Sequence, residues 1–205
     1  MGWSKLSAEG KSALVMMAII VFMAPFFAKI MFGLPSDMFA VFGFRRPFVE
    51  VLPAWIAGLG LAAGYVAWSA GIPSVREWLF RLHPLKVMAV ILAVFAATLE
   101  EFLFRKLLMD WLARLGQDEA VQVIASGAAF GVAHAVWGGL KGSWQTATGA
   151  VFATTFLGLG LAMVYVLGGR SLAPCIVSHF LVTALIEPGL LIAAFGSGLR
   201  IPRAS

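Results

Sequence analysis

Long apolar runs separated by short polar breaks make up the whole chain. A membrane-spanning helix needs about 20 mostly apolar residues. Six runs meet or approach that length: about Ser12 to Phe32, Phe48 to Ala70, Leu85 to Leu115, Val121 to Trp137, Thr146 to Leu167 and Ala173 to Phe195. The breaks carry the residues that stop or start helices. Pro35, Ser36 and Asp37 follow the first run, and Gly71, Ile72 and Pro73 follow the second. Gly116 stops the third, and Asp118 is placed to cap the fourth. Gly138, Gly139 and Gly142 make a loose loop before the fifth, and Gly168 and Gly169 make a tight turn into the sixth, where Pro188 predicts a kink. The first run is too long for a signal-peptide core and has no small-x-small cleavage site after it, so it is expected to be a retained span.

The pattern predicts an all-α, polytopic integral membrane helix bundle of about six membrane segments. The number of helices rises to as many as eight if 76–85 and 102–115 fold separately. There is no internal repeat or soluble insert, so residues 1–205 are expected to form a single membrane domain. Residues 1–84 supply two N-terminal spans and their connecting loops, and 85–195 supply the core.

Composition agrees with that pattern. Apolar residues make up 61% of the chain and charged ones 12%, with a mean hydropathy of +0.94. Soluble domains carry about 25% charged residues, and one core of this size could not hide so much apolar surface. A soluble enzyme, a disordered chain and a secreted disulfide scaffold are excluded. Cys175 is the only cysteine, so neither an intrachain disulfide nor a cysteine cluster for zinc is available. The net charge of +5 comes from 15 basic residues spread over loops and helix ends. Anionic lipid headgroups explain them better than nucleic acid does. Lys5, Lys11, Arg76, Arg81, Lys86, Lys141, Arg200 and Arg203 fall on one side, and Arg45, Arg46, Arg105, Lys106, Arg114 and Arg170 on the other. That split favours the N-terminus inside by a narrow margin.

Candidate chemistry lies in polar residues within the apolar runs. Glu100 and Glu101 follow an almost unbroken apolar stretch. A charge at mid-bilayer costs about 2.5–3.5 kcal/mol on insertion scales, so such residues must be paired, wet or neutralised. Glu101 and Arg105 are four apart with the acid first, the favourable order for an ion pair on one helical face. Glu100 points about 100° away around the helix and is left free for chemistry. The bland alternative is a helix end with four solvated charges. His134 sits in a run of small residues that let helices approach closely. His179, Thr183 and Glu187 share one stripe of the last helix. A lone membrane histidine is more often a packing residue, but two beside an intramembrane Glu pair point to a site. His83, next to Pro84 in a basic loop, is expected at the surface.

Glu100-Glu101-x-x-x-Arg105, then Phe130-x-x-x-His134, then His179-x-x-x-Thr183 resembles the motif series of the CAAX protease and bacteriocin-processing family. These are intramembrane glutamic proteases related to the Rce1-type prenyl-protein endopeptidase. The resemblance covers about Leu85 to Phe195. It implies that Glu100 is the general base, helped by His134, in activating a water that attacks a peptide carbonyl. His179 and Thr183 would donate to the oxyanion, and Glu101 and Arg105 would hold the active helix. No cofactor is implied. The expected partners are membrane lipids and a membrane-tethered peptide or protein tail, with the protein in a prokaryotic inner membrane. The chain departs from the family once: Thr183 stands where Asn or Asp is usual. Its shorter hydroxyl can also turn back to a carbonyl one turn earlier.

Other readings use the same residues. One Glu and two His can ligate zinc, leaving a fourth position for water, although the His-Glu-x-x-His signature is missing. A non-catalytic immunity or scaffold protein of the same fold is favoured by Thr183. A transporter or proton relay also uses intramembrane Glu and His, but the chain lacks the matched broken helices of that class.

Overall fold

The computed structural model describes residues 3–33, 37–136 and 144–196. Trp137, Lys141, Arg200, Arg203, Pro35, Ser36 and the loop glycines Gly138, Gly139 and Gly142 lie outside them. Among the described residues every regular element is a helix. A short 3₁₀ turn (Trp3–Lys5) precedes α1 (Ala8–Gly33). Then come α2 (Met38–Val41), α3 (Phe48–Ser69), α4 (Pro73–Trp78) and α5 (Pro84–Arg114). They are followed by α6 (Glu119–Ala133), α7 (Trp144–Leu167) and α8 (Ala173–Phe195).

Among the described residues five helices are long and apolar enough to cross a membrane: α1, α3, α5, α8 and the Ala147–Leu167 stretch of α7. The fourth expected segment is shorter than the sequence suggests. α6 has 15 residues, about 22 Å against a hydrocarbon core of about 30 Å. Its start is fixed where Asp118 Oδ1 accepts from the Val121 N–H at 2.8 Å. It ends at His134, whose Nδ1–H donates to the Phe130 carbonyl at 2.8 Å. Gly116 takes φ +77° after α5, and Gly169 takes +56° in the α7–α8 turn, so both act as the helix stops that the sequence predicts. The 76–85 region does contain a separate short helix, α4. The 102–115 region continues α5, with Phe102–Met109 as a π segment.

Small residues set the closest helix pair. Gly127 and Gly131 of α6 lie against α7, where a Cβ on Gly127 would meet Leu159 at 2.6 Å and one on Gly131 would run into Thr155. Gly58 of α3 likewise lies against Ser178 of α8. In lipid there is little hydrophobic drive between helices, so such close backbone approach supplies the association. α1 is peripheral. Its buried Met16 joins Trp78, Leu85, Ala89, Leu92 and Leu191 in a cluster between α1, α4, α5 and α8.

Pro188 sits inside α8 and deprives the Ala184 carbonyl of its usual N–H partner. Lys86, in the first turn of α5, compensates. Its Nζ donates to the Leu185 carbonyl at 2.9 Å and the Ala184 carbonyl at 3.3 Å. The break in α8 is thereby tied to the start of the helix that carries Glu100. His83 also has a structural role, since its Nδ1 accepts from the Leu85 N–H at 3.2 Å and caps α5.

Candidate active site

Glu100 and Glu101 lie on α5 at the boundary where the α-helix passes into its π segment. Such widened turns recur at functional sites. Arg105 lies within the widened turn and still reaches back, its Nε 3.0 Å from Glu101 Oε2, with both side chains fully buried. The pair does more than staple one helix. Arg105 Nη1 donates to Ser126 Oγ of α6 at 3.1 Å, and Nη2 to the Gly158 carbonyl of α7 at 3.3 Å. Ser126 Oγ in turn donates to the Phe104 carbonyl at 3.1 Å. On the other side His179 Nδ1 of α8 lies 2.9 Å from Glu101 Oε1. One buried ion pair thus joins α5, α6, α7 and α8.

Glu100 has different surroundings. Its Oε2 is 3.8 Å from His134 Nε2 and 3.9 Å from His179 Nε2. That buried oxygen makes no hydrogen bond among the described residues. Both separations are long for a direct bond and suit a bridging oxygen. The site is graded from partly exposed to fully buried. Glu100 and His134 keep 18% and 19% of their side-chain surface exposed, while His179 keeps 5% and the Glu101–Arg105 pair none.

The ring nitrogens are fixed by what they meet. A carbonyl only accepts, so His134 carries a proton on Nδ1, and its Nε2 faces Glu100. The Glu101 carboxyl, beside the Arg105 guanidinium, presents Oε1 as an acceptor, so His179 carries a proton on Nδ1 too. Its Nε2 is a donor when the ring is an imidazolium. Phe130 forms the floor of the site. Its ring lies 4.6 Å from the His134 ring, 5.5 Å from the His179 ring and 5.1 Å from the Arg105 guanidinium.

The structure therefore brings together Glu100, Glu101, Arg105, His134 and His179. Thr183 lies one turn beyond His179, partly buried, and its hydroxyl makes no hydrogen bond among the described residues. Glu187 lies a further turn on, within electrostatic reach of Glu100, His179 and Tyr65. Sequence reasoning did not find the anchoring parts played by Ser126 and the Gly158 carbonyl, because a serine and a backbone oxygen carry no distinguishing pattern. Among the described residues no group of three or more His, Cys, Asp or Glu side chains is arranged to hold a metal ion.

Comparisons with curated proteins and with solved structures return no match. A family model for type II CAAX prenyl endopeptidases, Rce1-like, matches residues 82–185. That is just over half of the chain, and it contains Glu100, Glu101, Arg105, His134, His179 and Thr183. With five helices able to cross a bilayer and a match that spans the whole polar cluster, the chain is a multi-pass integral membrane protein belonging to the Rce1-like family of type II CAAX prenyl endopeptidases.

Proposed function

We propose that the protein is an intramembrane glutamic endopeptidase that hydrolyses a peptide bond in a membrane-tethered peptide or protein tail. The observation that carries this reading is Glu100 Oε2, buried without a hydrogen-bond partner and facing two imidazole Nε2 atoms at nearly equal distance. A water in that space donates one proton toward Glu100 and the other toward His134 Nε2, leaving a lone pair for the substrate carbonyl. Glu100 takes the proton as the C–O bond forms, and the carbonyl oxygen becomes an oxyanion. His179, as an imidazolium held by Glu101, donates Nε2–H to that oxyanion. Such a preorganised donor is worth about 2.7–4 kcal/mol in a water-poor site. Collapse of the tetrahedral intermediate breaks the C–N bond, and Glu100 returns its proton to the leaving amine. Water is the nucleophile, so no covalent enzyme intermediate forms.

Thr183 is assigned a secondary part, a hydroxyl one turn from His179 that turns toward the oxyanion when substrate is bound. The substrate class is a tethered tail, and the setting a prokaryotic inner membrane. Family membership supports a membrane peptidase in general, and the site geometry supports the glutamic form.

Mass spectrometry of membranes with and without the protein tests this reading. A shortened substrate terminus should appear only with the protein, and cleavage should persist in a metal chelator. Unchanged termini speak for a non-catalytic scaffold. Loss of cleavage in chelator, restored by zinc, replaces the glutamic mechanism with a metal one.

A further inference from the structure

The polar stripe of α5 continues beyond the catalytic cluster. Phe102, Lys106, Asp110 and Arg114 follow at spacings of four, and with Ala113 and Arg170 they line a recess of about 560 Å³. Its charges are arranged but not balanced. Asp110 meets Lys106 Nζ at 3.0 Å and Arg170 Nη1 at 2.6 Å, so one carboxylate serves two cations. Arg114 Nε donates to the Asp110 backbone carbonyl at 3.2 Å, and its charge meets no carboxylate among the described residues. Three basic side chains and one acid leave the recess with two positive charges in excess.

The recess is also preorganised. Arg170 is the one non-glycine residue with positive φ (+66°) among the described residues, a conformation that bulky L-residues avoid. It is held there by Asp110 and by Gln122 Oε1, which accepts from Nη2 at 2.5 Å. The Tyr165 hydroxyl donates to the same Asp110 oxygen at 3.1 Å. Depth follows from helix length. The 31 residues of α5 span about 46 Å, well beyond a hydrocarbon core of about 30 Å. The charges of its C-terminal end suit headgroup level, where half-exposed Trp111 fits the interfacial aromatic belt.

We propose that this recess binds the phosphate of an anionic phospholipid. Arg114 and Lys106 take the phosphate oxygens, and the apolar wall at Phe102 and Ala113 receives the start of an acyl chain. Excess positive charge at headgroup depth attracts anionic lipid, and the guanidinium fork matches phosphate. Phe102 follows Glu101 directly, so the bound lipid lies against the helix that carries Glu100. The site stands apart from the peptidase reading and is read out by binding alone.

Native mass spectrometry of the full detergent-purified chain, titrated with phosphatidylglycerol and with phosphatidylcholine, tests the proposal. Phosphatidylglycerol should be retained in preference. Arg114→Gln should weaken that preference roughly fivefold, and Lys106→Gln with Arg114→Gln by roughly 25-fold, at about one basic residue's surface attraction each. Arg81→Gln, which removes a charge already paired with Glu77, should leave it unchanged. Arg114→Gln keeps the Asp110 pairs intact, so it decides the matter if the double variant fails to fold. Equal retention of both lipids, or a preference that survives Arg114→Gln, overturns the proposal. Displacement of phosphatidylglycerol by inorganic phosphate alone makes the ligand a free ion and overturns the lipid assignment.

Discussion

Adjacent glutamates in one helix have been given different surroundings by their neighbours. Glu101 is sealed against Arg105 and His179, while Glu100 keeps a partly exposed carboxylate between two imidazoles. Glu101→Gln leaves the Arg105 guanidinium buried without its counter-charge, and losing one partner of a buried pair costs about 3–5 kcal/mol. A thermal melt in detergent should show that loss, and adding Arg105→Met should recover much of it. Thr183 makes a separate prediction. Thr183→Val should slow cleavage about ten- to a thousandfold with an unchanged melt if the hydroxyl supports the oxyanion; a parental rate leaves His179 as the sole donor. At this scale much was legible in the chain. The Glu101–Arg105 spacing predicted the ion pair, and two histidines inside apolar runs predicted partners for the glutamates. The bond from His179 Nδ1 to Glu101 was not legible, because it joins residues 78 positions apart and depends on how α8 packs.

The helices show where local signals suffice. Gly116 and Asp118 end and begin helices where their chemistry requires, since a left-handed stop and a side-chain cap are local events. The π segment has no such marker: Phe102–Met109 contains no Gly or Pro, and the widened turn coincides with Arg105 bonding to two neighbouring helices. Pro188 was legible as a disruption of α8, but Lys86 as the donor to the freed Ala184 carbonyl and its neighbour was not. This latch is open to a double-mutant cycle. Lys86→Met should cost about 1–3 kcal/mol by leaving the buried Ala184 carbonyl unpaired. In a Pro188→Ala background, where the Ala184 carbonyl regains an N–H, the same substitution should cost less. Equal costs in both backgrounds would show that Lys86 acts independently of the break.

For the whole molecule, hydropathy and composition were enough to predict a helical membrane bundle, because only closed backbone hydrogen bonding survives in hydrocarbon. They overestimated α6, whose apolar composition runs on past the point at which the helix ends at His134. At that early end the His134 imidazole lies beside Glu100, its Nε2 3.8 Å from Oε2. The basic recess at the end of α5 escaped the sequence reading because its members come from Lys106, Arg114 and the distant Arg170, brought together only by the α7–α8 turn. The central claim is that Glu100 is the proton acceptor and Glu101 the anchor, and one paired measurement tests it most directly. Cleavage and thermal stability are measured together for Glu100→Gln and Glu101→Gln in the full-length membrane protein. Loss of a general base should cut cleavage by about 10²–10⁴-fold in Glu100→Gln with the melting temperature at the parental value, while Glu101→Gln melts markedly lower. An active Glu100→Gln, or a Glu101→Gln that is inactive at full stability, contradicts the account.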